Sequence, residues 1–177
     1  MLILLTDSLV QLPPLGGGLW SVAWGVISYS QRKKEIGGWL FFYYVQLYVG
    51  SVLVALVLVL ALLPGSWTGP PELYGAYLLA TVPTAAVVIA QAIVANRLRR
   101  SRDAAYLVLL RRILWAHLVL ALIKTAIDAK FFPASSLFDG VAVLWPALWL
   151  PYFYRSVRVG HVFVTKDWMR VAEFVTD

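Results

Sequence analysis

The sequence predicts an all-α membrane protein, a four-helix transmembrane bundle with both termini in the cytoplasm. Apolar residues make up 61% of the 177-residue chain and charged residues only 14%, whereas roughly a quarter of a soluble domain is charged. The apolar residues occur in runs long enough to cross a bilayer. Basic residues flank these runs on alternate sides, as they do in cytoplasmic loops. No linker divides the chain, so we expect residues 1–177 to form a single membrane domain.

The N-terminal segment, residues 1–35, is expected on the cytoplasmic side. It opens with an apolar run that no basic residue precedes and that Asp7, together with several prolines and glycines, interrupts. A signal peptide needs a basic region followed by an uninterrupted apolar stretch, so we do not expect one here. The apolar stretch at residues 20–29 is too short to span. We therefore expect an interfacial or half-inserted segment, with a fifth span through residues 1–29 as the alternative.

Four apolar stretches predict the transmembrane helices, at about residues 36–63, 73–95, 113–131 and 137–154. The first is longer than the roughly 20 residues that cross a bilayer, so it should tilt or project at one end. Tyr43 lies near its start, where aromatic rings favour the interface. Pro83 predicts a kink in the second span, and Pro146 and Pro151 predict a bent and short fourth span.

The placement of the basic residues predicts the topology. They lie before the first span, between the second and third, and after the fourth, at Arg32, Lys33, Lys34, six arginines within residues 96–112, Arg155, Arg158, Lys166 and Arg170. The loop between the first and second spans contains no basic residue, and the loop between the third and fourth contains only Lys130. This alternation predicts that both termini are inside, and it indicates membrane topology rather than a nucleic-acid partner. In the cytoplasmic tail, residues 155–177, Trp168 and Val175 lie on one face of an expected amphipathic helix.

The arginine-rich segment between the second and third spans is expected to contain a helix start. Ser101 is the expected N-cap of a helix that leads into the third span. Residues 104–110 are apolar, but burying the two arginines that follow them would cost roughly 2.5–3.5 kcal/mol each, so this segment should lie along the interface or meet the tail. Four arginines are expected to contact lipid headgroups at about 1 kcal/mol each, namely Arg111, Arg112, Arg155 and Arg158.

Two short motifs lie at the ends of the membrane region. IGGWL opens the first span, and SVRVGHVF follows the fourth with the spacing S-x-R-V-x-x-x-F. Together they resemble a family of small bacterial four-helix inner-membrane proteins that is catalogued as a domain of unknown function, over about residues 36–163. The resemblance implies a multi-pass protein of the bacterial inner membrane and brings no activity and no catalytic residues. From the residues themselves, Gly37 and Gly38 are expected to allow a close approach of the backbone.

Polar residues within the spans are the candidates for a working site, since ionisable groups there are uncommon and usually functional. They are His117, Lys124, Asp128, Asp139, Gln46 and Gln91. At about 1.5 Å per residue from Arg112, Lys124 lies about 18 Å and Asp128 about 24 Å into a core of about 30 Å. One interpretation is an outer anchor in which Lys124 snorkels beside Asp128. The other is a polar contact inside the bundle. It is favoured by three small residues expected at helix-packing positions, Ala121, Thr125 and Ala129, which lie beside the helical stripe that His117, Lys124 and Asp128 share at offsets of seven and four.

No catalytic motif is present. The chain has no cysteine and two histidines, which excludes thiolate chemistry and makes a histidine-rich metal site unexpected. It also lacks the metalloprotease, phosphate-loop and serine-nucleophile patterns, so we expect no catalytic residue, metal or cofactor. We expect action through contacts with another protein in the membrane or cytoplasm, as an immunity-type protein against a membrane-active toxin or as an accessory subunit of an envelope complex. The alternative is a small transporter or channel formed by a homo-oligomer.

Overall fold

The computed structural model describes the backbone of residues 14–133, 136–167 and 169, and the side chains of residues 22–133, 142–167 and 169. Five long helices follow one another as α1 Pro14–Ser30, α2 Trp39–Ala61, α3 Pro71–Ser101, α4 Ala104–Phe131 and α5 Ser136–Arg155. A short helix α6, Val157–Gly160, and a π-helical turn, His161–Thr165, complete the described chain. No strand occurs among these residues. The predicted all-α class is confirmed for this part of the chain.

Helices α2, α3 and α4 are each long and apolar enough to cross a membrane, which makes the chain a multi-pass membrane protein. Helix α5 contains 20 residues and packs along α4 in the place of the predicted fourth span, whose crossing stays a prediction. Pro83 lies inside α3 without ending it, and two prolines lie inside α5 in the same way. Helix α1 packs against α2, with the Trp24 and Phe41 rings 6.4 Å apart, and residues 1–13 lie outside the described residues.

The helices on either side of the arginine-rich segment extend further than predicted. Helix α3 has 31 residues and α4 has 28, against predicted spans at 73–95 and 113–131. At about 1.5 Å per residue they are about 46 and 42 Å long, which exceeds the bilayer core by roughly 12–16 Å. Arginine, leucine and alanine all favour helix, so the charges end the apolar run without ending the helix. The arginine-rich segment is therefore mostly helical, and only a tight turn separates the two helices.

That turn consists of Arg102 and Asp103. Arg102 adopts a left-handed conformation with φ of 53°, which ends α3. The Asp103 carboxylate then accepts a hydrogen bond from the Ala105 amide at 2.8 Å and caps α4. The prediction that Ser101 caps this helix was wrong, because its hydroxyl donates to the Arg97 carbonyl within α3 at 2.9 Å. A carboxylate also suits a helix N-terminus better, since it faces the positive end of the dipole.

The core lies at one end of the bundle, where α2 and α4 begin and α3 and α5 end; we call this the basic end. The buried side chains there are Leu40, Tyr43, Tyr44, Leu47, Ala95, Leu98, Leu107, Leu110, Leu114, Trp149, Leu150, Phe153, Val159, Val162 and Phe163. Leu107 and Leu110 belong to the apolar segment 104–110, which meets the residues that follow α5 rather than lying free along the interface. The predicted amphipathic helix through Trp168 and Val175 lies outside the described residues.

Candidate functional site

The two sequence motifs, more than 100 residues apart in the chain, meet at the basic end. The Arg158 guanidinium donates to the Lys34 carbonyl at 2.8 Å and to the Arg32 carbonyl at 2.6 Å. Its position is set by α6, which Ser156 caps by accepting a hydrogen bond from the Val159 amide at its hydroxyl. Burial lowers the pKa of Arg158, since removing water disfavours the charged form. The two carbonyl oxygens replace part of that water, so Arg158 acts as a clasp on residues 31–38.

The glycines of the first motif close the loop that Arg158 holds. A Cβ at Gly37 would overlap the Gln31 carbonyl oxygen, so no side chain fits there. Gly38 has φ of 58°, in the region that favours glycine, and its amide donates to the Ser28 carbonyl at 3.1 Å. The loop thereby folds back on the end of α1 before α2 starts. The expected close backbone approach thus occurs within the loop itself.

Two further contacts tie this loop and the helix ends together, and neither was predicted. Glu35 forms an ion pair with Arg102, which joins the loop to the turn between α3 and α4. Arg111 donates through Nε at 3.0 Å and Nη2 at 2.6 Å to the Phe153 carbonyl near the end of α5. Such carbonyls lack helical partners, and a cation there also opposes the negative end of the helix dipole. We call residues 31–38, the turn at 102–103 and α6 together the basic cap.

The four arginines expected at lipid headgroups have different surroundings. Arg158 and Arg111 donate to backbone carbonyls, and Arg111 also lies 4.6 Å from the centre of the Tyr154 ring. Arg112 and Arg155 are exposed. Headgroup contact therefore stays a prediction, and Arg112 and Arg155 present the more accessible guanidinium groups.

A buried chain of polar side chains joins three helices below the basic cap. Gln91 of α3 donates from Nε2 to the Tyr43 hydroxyl at 2.9 Å, and its Oε1 lies 2.8 Å from Nδ1 of His117. Gln91 and Tyr43 have no exposed surface, and His117 is 5% exposed. In this arrangement the His117 Nδ1 carries a hydrogen. Because an unpaired polar group inside a bilayer costs several kcal/mol, these contacts lock α2, α3 and α4 in register.

Two of these three residues were predicted as in-membrane candidates, and the structure brings them together. Tyr43 was predicted at the interface, whereas it lies inside the bundle with its ring 4.7 Å from that of Phe153. Gln46 is partly buried, and the Asp139 side chain lies outside the described part of the chain. The polar chain thus consists of Gln91, His117 and the Tyr43 hydroxyl. The sequence did not indicate this role for Tyr43, because the residue belongs to an aromatic cluster.

Lys124 and Asp128 form an ion pair one turn apart on α4. The Asp128 side chain is 7% exposed and that of Lys124 is 25% exposed, so the carboxylate faces the bundle more than the ammonium does. Eleven residues separate His117 from Asp128, which is about 16 Å along the helix. The predicted stripe on α4 therefore divides into two polar sites rather than forming one.

The comparison with protein families supports the resemblance stated from the sequence. A family model described as "Protein of unknown function (DUF2569)" matches residues 33–164, about three quarters of the chain. The chain belongs to this family. The matched DUF2569 region holds both motifs, Arg158 with its Lys34 acceptor, and the buried polar chain, whereas all of α1 and the Arg32 acceptor precede it. The resemblance to a family of unknown function is thereby confirmed. No curated protein and no solved structure matches the chain.

The small residues predicted for helix packing are placed unevenly within the DUF2569 region. Ala121 is 1% exposed, and the Thr125 hydroxyl donates to its carbonyl at 2.9 Å. Ala129 is exposed, so packing in the described bundle does not extend along the whole row. Among the described residues, no three histidine or acidic side chains lie together as metal ligands would.

Proposed function

We propose that this DUF2569 protein crosses the bacterial inner membrane four times, with both termini inside, and acts without catalysis by binding another protein at its basic end. In this topology α5 is the fourth span. The basic end faces the cytoplasm, because the loop before α2, the turn between α3 and α4, and the end of α5 all lie there and carry the basic excess. The single observation that carries the proposal is the braced and projecting pair of helix ends at α3 and α4.

These helix ends suit recognition because they are fixed in place and charged. Arg111 holds the end of α5 against α4, and the Glu35–Arg102 ion pair holds the clasped loop against the turn between α3 and α4. Their exposed arginines are Arg97, Arg99, Arg100 and Arg112. Arginine forms geometrically specific pairs with carboxylates, so the expected partner surface is acidic.

The interior polar groups support this proposal over transport. Gln91 joins Tyr43 and His117 to each other, and Lys124 is paired with Asp128. The two groups are about 16 Å apart along α4, so they do not form one polar path in the described bundle. The transport alternative rests on the buried carboxylate of Asp128, which a homo-oligomer would have to connect to His117. It predicts that Lys124→Met with Asp128→Asn abolishes function, whereas partner binding at the basic end should survive that double change.

The proposal has two versions that differ in the partner. In one, the protein is an immunity-type protein that neutralises a membrane-active toxin. In the other, it is an accessory subunit of an envelope complex. Both versions use the same surface, so a single experiment on that surface tests them together.

Photo-crosslinking in cells tests the surface. A photoreactive amino acid is placed at Arg97 or Arg100 on the projecting end of α3, and at Leu122 or Ile123 as controls, which are 52% and 49% exposed on the lipid-facing side of α4. We expect one identified protein to crosslink at the two arginine positions and not at the controls. The partner is then purified and its binding measured against the wild type and the double variant R97E/R100E, which should bind more weakly. Crosslinks to lipid alone at all four positions, or equal binding by the charge-reversed variant, would refute the proposal.

A further inference from the structure

A groove on the membrane-facing surface lies along the seam between α4 and α5. Its volume is about 420 Å³, and its walls are formed by Trp115, Leu118, Ala147, Leu150, Pro151 and Tyr154, with Arg155 at one end. Trp115 and Tyr154 are about half exposed, so the groove opens sideways toward the lipid. From Ala147 to Arg155 it covers nine residues of α5, and the eight steps between them correspond to about 12 Å along the helix axis. The groove is thus apolar along its length and cationic at its basic end.

Two arginines, Arg111 and Arg155, lie at the end of the groove nearest the helix termini. Arg111 is engaged by the Phe153 carbonyl and lies over the Tyr154 ring, so it fixes one wall of the groove. Arg155 is exposed and lines the groove itself. The Arg155 guanidinium therefore borders the groove at the end that lies nearest the helix termini.

We infer that this groove binds one anionic phospholipid, with the phosphate at Arg155 and an acyl chain along Leu118 and Ala147. The charge pattern matches this ligand, since its anionic group and its hydrocarbon chain are joined end to end. Arginine binds phosphate through paired N–H donors, and tryptophan and tyrosine favour headgroup depth. This inference stands apart from the proposed protein partner, which uses the projecting ends of α3 and α4.

Diffuse attraction of the whole basic end to anionic lipid is the competing explanation, and matched variants separate the two. Arg155→Gln removes a groove charge, and Arg100→Gln removes an exposed charge of the same end that lies outside the groove. Ala147→Phe fills the groove without changing any charge. Arg155 and Arg100 are exposed, so these two variants should fold, and the charge comparison remains decisive if Ala147→Phe destabilises the bundle.

The purified full-length protein is examined by native mass spectrometry and by thermal unfolding in detergent with added phosphatidylglycerol or with phosphatidylcholine of the same acyl chains. We expect one phosphatidylglycerol to be retained and to raise the unfolding temperature more than phosphatidylcholine does. Arg155→Gln should weaken its binding about fivefold, the equivalent of about 1 kcal/mol, and Ala147→Phe should weaken it at least as much. Arg100→Gln should leave it unchanged, and inorganic phosphate should not compete.

Three outcomes would overturn the inference. Equal weakening by Arg155→Gln and Arg100→Gln would reduce the effect to diffuse charge attraction. Equal retention of the two lipids would remove the preference for an anionic headgroup. A folded Ala147→Phe protein that binds phosphatidylglycerol like the wild type would place the lipid outside the groove.

Discussion

Replacing Arg158 by lysine separates the charge of this side chain from its geometry. The guanidinium donates to two carbonyl oxygens at once, those of Arg32 and Lys34. A lysine keeps the positive charge but presents a compact ammonium on a flexible stem, which does not reproduce the planar fork. Arg158→Lys should therefore release one of the two carbonyls, and Arg158→Met should release both.

The expected loss of loop stability depends on how many hydrogen bonds the substitution removes and on how exposed those hydrogen bonds are. A hydrogen bond to a charged group contributes about 1.5–3 kcal/mol, and Arg158 is only partly buried, so the lower part of that range applies. We expect Arg158→Met to destabilise the closed loop by about 2–3 kcal/mol and Arg158→Lys by about half as much. Arg155, which is exposed and close in sequence, is the matched control, with an expected change within about 0.5 kcal/mol for Arg155→Lys.

Trypsin provides a direct assay, because it cleaves after lysine and arginine and the clasped carbonyls belong to Arg32 and Lys34 themselves. Cleavage requires these carbonyls to leave the guanidinium, so its rate follows the fraction of open loop when opening is fast. In detergent, trypsin should cut the Arg158→Lys protein after residues 32–34 about tenfold faster than the wild type, because a loss of about 1.4 kcal/mol in loop stability raises the open fraction tenfold. The Arg158→Met protein should be cut faster still. Cleavage of Arg158→Met at the wild-type or the Arg155→Lys rate would refute the clasp.

Three other substitutions test the remaining contacts by the thermal unfolding midpoint in detergent. Gly37→Ala should destabilise the protein by about 1–3 kcal/mol, because its Cβ would overlap a loop carbonyl. Gly50→Ala, which has open space around it, should be neutral or stabilising, and equal effects of the two substitutions would contradict this packing. Gln91→Leu should destabilise the protein by about 2–4 kcal/mol, because it leaves the buried Tyr43 hydroxyl and the His117 imidazole without their shared partner. A loss of stability as small as that of Gln46→Leu would argue against the polar chain. Glu35→Gln should cost at most about 1 kcal/mol, since the ion pair is partly exposed, and a loss that persists in high salt would contradict an electrostatic origin.

The helices were predictable from the sequence because long apolar runs and their flanking charges report where a bilayer begins and ends. Helix ends were less predictable, because the arginine-rich segment around Arg100 favours helix as well as an aqueous position. Ser101 and Asp103 both have the chemistry of an N-cap, and only the position of the left-handed Arg102 between them selects Asp103. Hydropathy therefore predicts the three helices that could cross a membrane, and it predicts poorly how far they continue beyond their apolar stretches.

The site was only partly predictable, for two physical reasons. Gln91 and His117 stand out because polar side chains inside an apolar run need partners, but Tyr43 belongs to an aromatic cluster and shows no such contrast. Arg158 was predicted at headgroups, and its acceptors are backbone carbonyls, which every residue carries. Nothing in the side-chain pattern of Arg32 or Lys34 indicates that their carbonyls face an arginine from the other end of the chain.

The two motifs thus describe one junction rather than two sites. Gly37 and Gly38 allow residues 31–38 to form a tight loop, and Arg158 holds that loop through its backbone carbonyls. The glycines of the first motif and the arginine of the second are therefore needed for the same contact. A junction of this kind fixes the end of α1, the start of α2 and the end of α5 relative to one another. Recognition is then expected on what the junction holds in place, namely the exposed arginines at the end of α3 and the groove that ends at Arg155. Because these surfaces lie outside both motifs, we expect substitutions in the motifs to change stability, and substitutions on the exposed arginines or in the groove to change binding.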